Sequence, residues 1–407
     1  MKRLFVLNAN SHGRGAVLFA WHPTGNFLAT CGQNRIVNIV NRQGEPHAEI
    51  PLDGTGKCAQ LEWSADGELL AVLQAGSPNI TLWDANHSSV SSLDTGTKDI
   101  SYICWSRAGP QLAIGTAKGN LVIYNKKTMK KVQVQGKHVK KVTSGGWTSE
   151  NKLALCSEDR QVTISNAEGD TLHQAPMKQE PTDVQVAKAN RGSGELLSVV
   201  HGGRSLLIFD VADADRPIEL GFAQKYGALS TYRWFPDGCL VLAFESGYVV
   251  VMSTHEQELS EELFSQRIHN GRLAGLAVST VLKRAATCSG NTVKVWRRLL
   301  ASNGGGRAAP PLTRRSHPLH PPRPPQVMDF SLSGEYKELP DEAVVLGDES
   351  GALERMAWTA DGQILTVGSD SGTVYNFLAC LPVLSAACGS RCAAAQSAPF
   401  RPSCECA

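Results

Sequence analysis

Nothing in the 407-residue chain approaches the roughly 20 consecutive apolar residues that a membrane-spanning helix needs. The first apolar run, residues 4–7, is ended by Asn8, Asn10 and His12. That is too short for the core of a secretory leader, although Lys2 and Arg3 precede it. No signal peptide is read, and a cytoplasmic chain is expected. Asn79-Ile80-Thr81 and Asn86-His87-Ser88 then match the glycosylation pattern by chance. An excess of charge of one sign is also lacking. The 40 Lys and Arg nearly cancel the 38 Asp and Glu, giving +2, which excludes a surface built throughout for nucleic acid. The sum hides residues 297–325, with six arginines and no acid; removing those six leaves −4 for the rest. At 42% hydrophobic, the chain has ample material for a core, so global disorder is excluded.

The signatures of chemistry are missing as well. There is no G-x-S-x-G elbow and no H-E-x-x-H; His255-Glu256 is followed by Leu259 where the second histidine belongs. Gly54-Thr55-Gly56-Lys57 resembles half a phosphate loop, but Pro51 and Cys58 occupy the positions that require Gly and Ser or Thr. Of eleven cysteines, Cys31, Cys58, Cys104, Cys156, Cys239 and Cys288 are scattered singly through apolar strand-like runs, as small hydrophobes. Cys380, Cys388, Cys392, Cys404 and Cys406 crowd the end in a spacing that fits no standard zinc pattern. Carboxylates fall mainly in turns, at Asp66, Asp159, Asp237, Asp361 and Asp370, where capping of backbone N–H groups is the expected role. No catalytic, cofactor-binding or metal-binding residue is assigned, no cofactor is expected, and the chain is read as not an enzyme.

What is present is a repeat. Trp21, Trp63, Trp105 and Trp147 are spaced by 42 residues each time, and Trp234 and Trp358 stand at the same kind of site later. Each precedes a turn and then an apolar strand. Two further units lack the Trp, which makes eight. Asp66-Gly67, Asp237-Gly238 and Asp361-Gly362 signal hairpins. Third strands are expected over 36–40, 80–83, 121–124, 162–164, 206–209, 248–252, 293–296 and 373–377, with polar fourth strands such as 132–134 and 259–264. Four strands per unit, repeated, predict an all-β, WD40-type β-propeller with eight four-stranded blades, seven being the rival count. A lone blade cannot bury both faces; stacked blades bury them against each other, the Trp filling the space between. The eighth unit lacks an evident fourth strand, and residues 4–7 are expected to supply it and close the ring.

One propeller over residues 1–391 is therefore expected, with a disordered insertion at 299–326 and a disordered tail at 392–407. Seven of the 20 prolines fall between 310 and 325. Pro318-x-x-Pro321 and Pro322-x-x-Pro325 offer a polyproline ligand, and the arginines an anion-binding patch; an unstructured insertion without a binding role is favoured over both. The blade is expected to resume around 343–346. A second basic stretch, Lys126, Lys127, Lys130, Lys131, Lys137, Lys140 and Lys141, reads as a solvated strand face, with an acidic docking partner as the lesser alternative.

The chain resembles the WD-repeat family, loosely within single repeats. Only Trp83-Asp84 shows the dipeptide of the name, and only Gly136-Lys137-His138 comes near the Gly-His pair, so the family's Asp–His–Ser–Trp network is not expected in most blades. At finer grain it resembles the N-terminal propeller of the large subunits of intraflagellar transport complex A. That likeness rests on MKRLF at the start, LWDAN at 82–86, KGNLVIYN at 118–125, GKHVKKVTSGGW at 136–147, NAEGDT at 166–171 and LPVL at 381–384. The resemblance implies a non-catalytic scaffold for retrograde ciliary transport and ciliary import of membrane cargo. It implies other subunits of that complex as partners, with membrane-protein cargo or its adaptors beyond them and no nucleic acid. The implied location is the cytoplasm and the cilium or flagellum, at basal body and axoneme. A vesicle-coat or other WD40 platform is the alternative, and a propeller hydrolase the remote one. The family continues into a second propeller and helical repeats, so a fragment, a truncated gene product or an isoform is expected.

Overall fold

The computed structural model describes residues 1–188, 194–235, 238–255, 258–299, 335–339, 342–347 and 351–379. Among them lie eight antiparallel sheets, each running inner strand to outer strand as a meander. The inner strands are Leu18–Trp21, Cys58–Trp63, Ile100–Trp105, Val142–Trp147, Pro181–Lys188, Leu229–Trp234, Gly275–Ser279 and Leu353–Trp358, defining blades 1 to 8. The count is eight, not seven. The six repeat tryptophans each end an inner strand.

Second strands are buried almost throughout, as in Leu69–Gln74, Cys239–Phe244 and Ile364–Ser369. Both of their faces meet neighbouring blades, so they carry continuous apolar runs instead of alternation. Outer strands such as Ser89–Asp94 and Lys130–Val134 are mostly exposed and polar. Apolar clusters fill seven of the eight blade boundaries. One example, between blades 1 and 2, joins Ala29, Val37 and Ile39 to Trp63, Leu70 and Val72. At the eighth boundary, blade 8 to blade 1, hydrogen bonds cross. His12 Nδ1–H donates to the Gly372 carbonyl (3.1 Å), and the Trp21 indole N–H to Thr366 Oγ1 (2.8 Å). Arg42 there reaches Asp361 and Gln363.

Closure follows the expectation. Lys2–Leu7 pairs antiparallel with Val374–Leu378, Leu7 opposite Val374 and Arg3 opposite Phe377, as the outer strand of blade 8. Two expectations need correction. The outer strand of blade 6 is Glu262–Arg267, not 259–264. Residues 258–261 form a turn first, with Ser260 at φ 70° and the Glu261 N–H on the Glu258 carbonyl. Blade 7 resumes earlier than 343–346. Its third strand, Thr292–Leu299, is eight residues long and takes two outer pieces: Glu335–Glu338 beside 296–299, and Val344–Val345 beside 292–293. The expected insertion at 299–326, beyond its first residue, and the tail at 392–407 lie outside the described residues.

Candidate functional site

An inner strand has a sheet neighbour on one edge only, so its other edge turns unpaired N–H and C=O groups toward the centre of the ring. Side chains of the preceding blade satisfy several of them. Gln60 on blade 2 uses both ends of its amide on Ile103 of blade 3: Nε2 donates to the carbonyl (2.7 Å), and Oε1 accepts from the N–H (3.1 Å). Glu62 Oε1 accepts the Trp105 N–H (3.0 Å). Tyr102 donates to the Gly145 carbonyl of blade 4 (2.6 Å), and Gln185 of blade 5 to the Tyr232 carbonyl of blade 6 (2.8 Å). The tryptophans bond the other way. Trp21, Trp63, Trp147, Trp234 and Trp358 each donate the indole N–H to the blade before, as in Trp63 to Ala20 (3.1 Å) and Trp147 to Cys104 (2.9 Å). This lattice confirms the expected place of the Trp between blades.

Within it lies a cavity of about 470 Å³ along the central channel, lined by residues including Glu62, Tyr102, Trp105, Trp147, Asp183 and Trp234. A bulge at Asp183, where φ is 45° and the register slips between Thr182 and Val184, re-aims that part of the blade 5 inner strand. Burial pushes the Glu62 carboxyl up to about 7, although the Trp105 N–H, Arg107 and Cys104 oppose the shift. Burial raises Asp183 too, against the pull of Arg233, 3.9 Å away, and of Gln185. The Tyr102 hydroxyl and Cys104 thiol are likewise pushed up by burial and stay neutral near pH 7.

Turns between second and third strands share one face of the ring with the links between blades. Three buried histidines fasten those links. His12 Nε2 meets Thr30 Oγ1 at 2.8 Å; His138 meets Asp159 Oδ2 at 3.0 Å and Thr163 at 3.1 Å. His269 meets Thr287 at 3.1 Å, and the Trp296 indole donates to the same hydroxyl (3.3 Å). Parts of the family network thus survive in blades 1, 4 and 7, though only His138 has its Asp. Desolvation lowers all three imidazoles, His269 to about 4 with Lys294 adding to the fall. On this face, a cleft of about 910 Å³ between blades 6, 7 and 8 carries Arg272, Lys294, Glu354 and Arg355.

The turn carboxylates cap backbone. Asp66 Oδ1 accepts from Glu68 N–H (3.2 Å), Asp361 Oδ1 from Gln363 N–H (3.0 Å), and Asp370 Oδ1 from Ala352 N–H (2.8 Å). Asp159 accepts from both Val139 and Gln161; Asp237 lies outside the described residues. The lysine stretch is a less uniform face than expected. Lys126 bridges to Asp66 and Glu68 of blade 2, and Lys131 to the Asp94 carbonyl. Lys137 is buried on the Gly169 carbonyl and Thr171 (2.6 Å), its ammonium lowered to about 8 by desolvation. The six scattered cysteines are free thiols in strands. Among the described residues, no group of three or more His, Cys, Asp or Glu is placed to hold a metal ion. Sequence reasoning passed over Gln60, Glu62 and Asp183. For Gln60 and Glu62 the signal is a polar side chain three and one residues before the end-of-strand Trp63; Asp183 stands in an inner strand that carries no Trp.

Eight meander blades with an indole lattice and His–hydroxyl pairs define a WD40-type propeller. Solved structures share this fold. The C-terminal WD40 domain of Sif2 superposes with a TM-score of 0.68 at 13% identity, over 93% of this chain and 98% of that one. Sqt1 from Chaetomium thermophilum gives 0.67 at 15%, over 93% and 99%. The sequence profile of the family described as WDR19 first beta-propeller matches residues 17–299, and the chain belongs to that family. It is 37% identical to WD repeat-containing protein 19 of Mus musculus over 97% of its own length. It is 33% identical to WD repeat-containing protein dyf-2 of Caenorhabditis elegans over 70%. It spans 27% and 21% of those proteins, respectively.

Proposed function

We propose that this chain is a non-catalytic scaffold propeller of intraflagellar transport complex A. In this reading it supports retrograde ciliary transport and import of membrane cargo through protein–protein contacts. The observation that supports this most is the collinear similarity to WD repeat-containing protein 19 across nearly the whole ring. Residues 1–391 act here as one module, and the other subunits of the complex are its partners. The physical role is that of a rigid ring: the blade boundaries fix the strands, and the loops they carry present recognition surfaces. The expected location is the cytoplasm and the cilium.

Expression of the tagged 407-residue chain in ciliated cells, with imaging and affinity recovery, tests this. Entry into cilia and co-recovery of complex A subunits are expected. A chain that stays out of cilia and recovers vesicle-coat components instead would overturn the reading in favour of a coat platform.

A further inference from the structure

On the face of the ring that carries the buried histidines, backbone hydrogen bonds tie links and turns into one course across blades 3 to 5. The Ala117 N–H of a second-to-third-strand turn donates to the Asp99 carbonyl of the link before it (2.8 Å). The His138 N–H of the next link donates to the Gly119 carbonyl (2.9 Å), the Glu158 N–H to Lys141 (3.0 Å) and the Met177 N–H to Arg160 (2.8 Å). Each loop of that course carries one exposed cation that makes no ion pair among the described residues: Lys98, Lys118, Lys140, Arg160 and Lys178. Because the backbone joins the loops, the stems of these five side chains are held in a fixed row.

The row stands apart from the opposite face, where Lys126 bridges to Asp66 and Glu68, Lys152 to Glu150 (2.8 Å), and Arg42 to Asp361. Around the row itself the nearby acids are largely spent. Glu158 is 4.0 Å from Lys141, and Asp159 is held by His138. Asp94 caps the Gly96 N–H (2.9 Å), with Lys131 on its carbonyl. Asp99 and Glu180 are the exposed carboxylates that remain in these loops, against the five cations. A surface stripe of one sign attracts a ligand of the other.

At its Lys98 end the row has depth. A groove of about 240 Å³ is lined by Lys98 and Lys118, by Thr97, and by the amides of Asn120, Gln133 and Gln135. That is room for one or two side chains, less than a drug-sized ligand needs. No aromatic residue lines it, so it offers no stacking platform for a nucleobase. A flat bilayer would meet the loop tips and leave the groove unfilled. Amides beside lysines suit a carboxylate and the peptide groups next to it. Val139, 80% exposed beside Lys140, adds an apolar contact further along.

We propose that this row is the docking surface for an acidic, extended segment of a partner protein. One carboxylate of the segment enters the groove between Lys98 and Lys118. Others pair with Lys140, Arg160 and Lys178, and an apolar side chain covers Val139.

Fluorescence anisotropy with the 407-residue chain tests this. The probe is a labelled, acetylated and amidated peptide of glutamates around two leucines, with its glutamine counterpart in parallel. Affinity for the glutamate peptide should fall about tenfold between about 50 and 200 mM salt, because exposed charges are screened. Lys98→Glu with Lys118→Glu should weaken binding about tenfold or more. Lys127→Glu, on the opposite face of the same blade, should change it by less than about twofold. If the charge-reversed variant melts early, Lys98→Gln with Lys118→Gln gives the same reading without new repulsion. Equal binding of the glutamine peptide, no loss in the double variants, or an equal loss in Lys127→Glu would each overturn the proposal. Tighter binding of phosphatidylserine vesicles, or of a single-stranded deoxythymidine oligomer, lost in the same double variants, would overturn it in favour of a membrane or a nucleic acid. None of these readouts depends on ciliary location or on complex A subunits, so the scaffold reading stands or falls separately.

Discussion

A buried imidazole is cheapest to hold when neutral, and His12, His138 and His269 are each held that way. Their folded pKa values lie below the ordinary 6.5, so the unfolded chain takes up protons first as pH falls. The stability they lend is complete above about 6.5 and drains away toward about 4, the value for His269. Thermal melts from pH 7.5 to 4.5 should show the midpoint falling across that window. His269→Asn should start lower and fall less steeply; parallel curves would remove His269 from the account. Lys294 is the charged group facing it, while His138 also faces Asp159 and Lys137. Of these roles the sequence disclosed one, His138, through Gly136-Lys137-His138. His12 and His269 carry no flanking dipeptide, and their hydroxyl partners lie 18 residues away on the second strand of the blade.

At the scale of elements, legibility followed burial. Most inner and second strands were readable because they carry a Trp or an unbroken apolar run that no loop can afford to expose; Pro181–Lys188 carries neither. Outer strands are solvated, so their composition says little; the misplacement in blade 6 and the two-piece strand of blade 7 both occurred there. Blade 7 holds its second piece with Arg284 and Glu342, both nearly buried and joined at 2.6 Å. Arg284→Met should destabilise by about 3–5 kcal/mol, because a buried carboxylate is left unpaired. Arg284→Met with Glu342→Leu should recover much of that loss in denaturant unfolding. The closing strand is testable in the same way. Leu7→Pro removes a backbone donor and should cost about 1–3 kcal/mol. Deleting residues 1–7 should cost more, since Val374 and Phe377 are fully buried beside it. A deletion variant melting like the full chain would show that closure does not stabilise the ring.

The whole molecule was legible as a count of eight and as a closed circle, because the unit of strand, turn and apolar strand recurs even where the 42-residue spacing of the first four tryptophans does not. The channel was not legible. Gln60 meets Ile103, Tyr102 meets Gly145 and Trp147 meets Cys104 at separations of 43 residues, one per blade. Contacts of that kind exist only after the blades are stacked, and nothing local in the chain announces them. Near-neutral overall charge was equally uninformative at this scale, since the six arginines of 297–325 offset a mildly acidic remainder.

The join between Lys2–Leu7 and Val374–Leu378 also sets a timetable. During synthesis the first strand leaves the ribosome some 370 residues ahead of its partner, a wait on the order of 20–70 s at roughly 5–20 residues per second. Throughout that interval blades 1 to 7 can stack in turn, but an open arc with two bare ends has to be kept from pairing with its neighbours. A contact spanning almost the entire chain is also the last to form and among the slowest kinds to find. The vulnerable period of this protein is therefore its birth, and a chaperone that shields the N-terminal strand would act on yield without touching the stability of the finished ring.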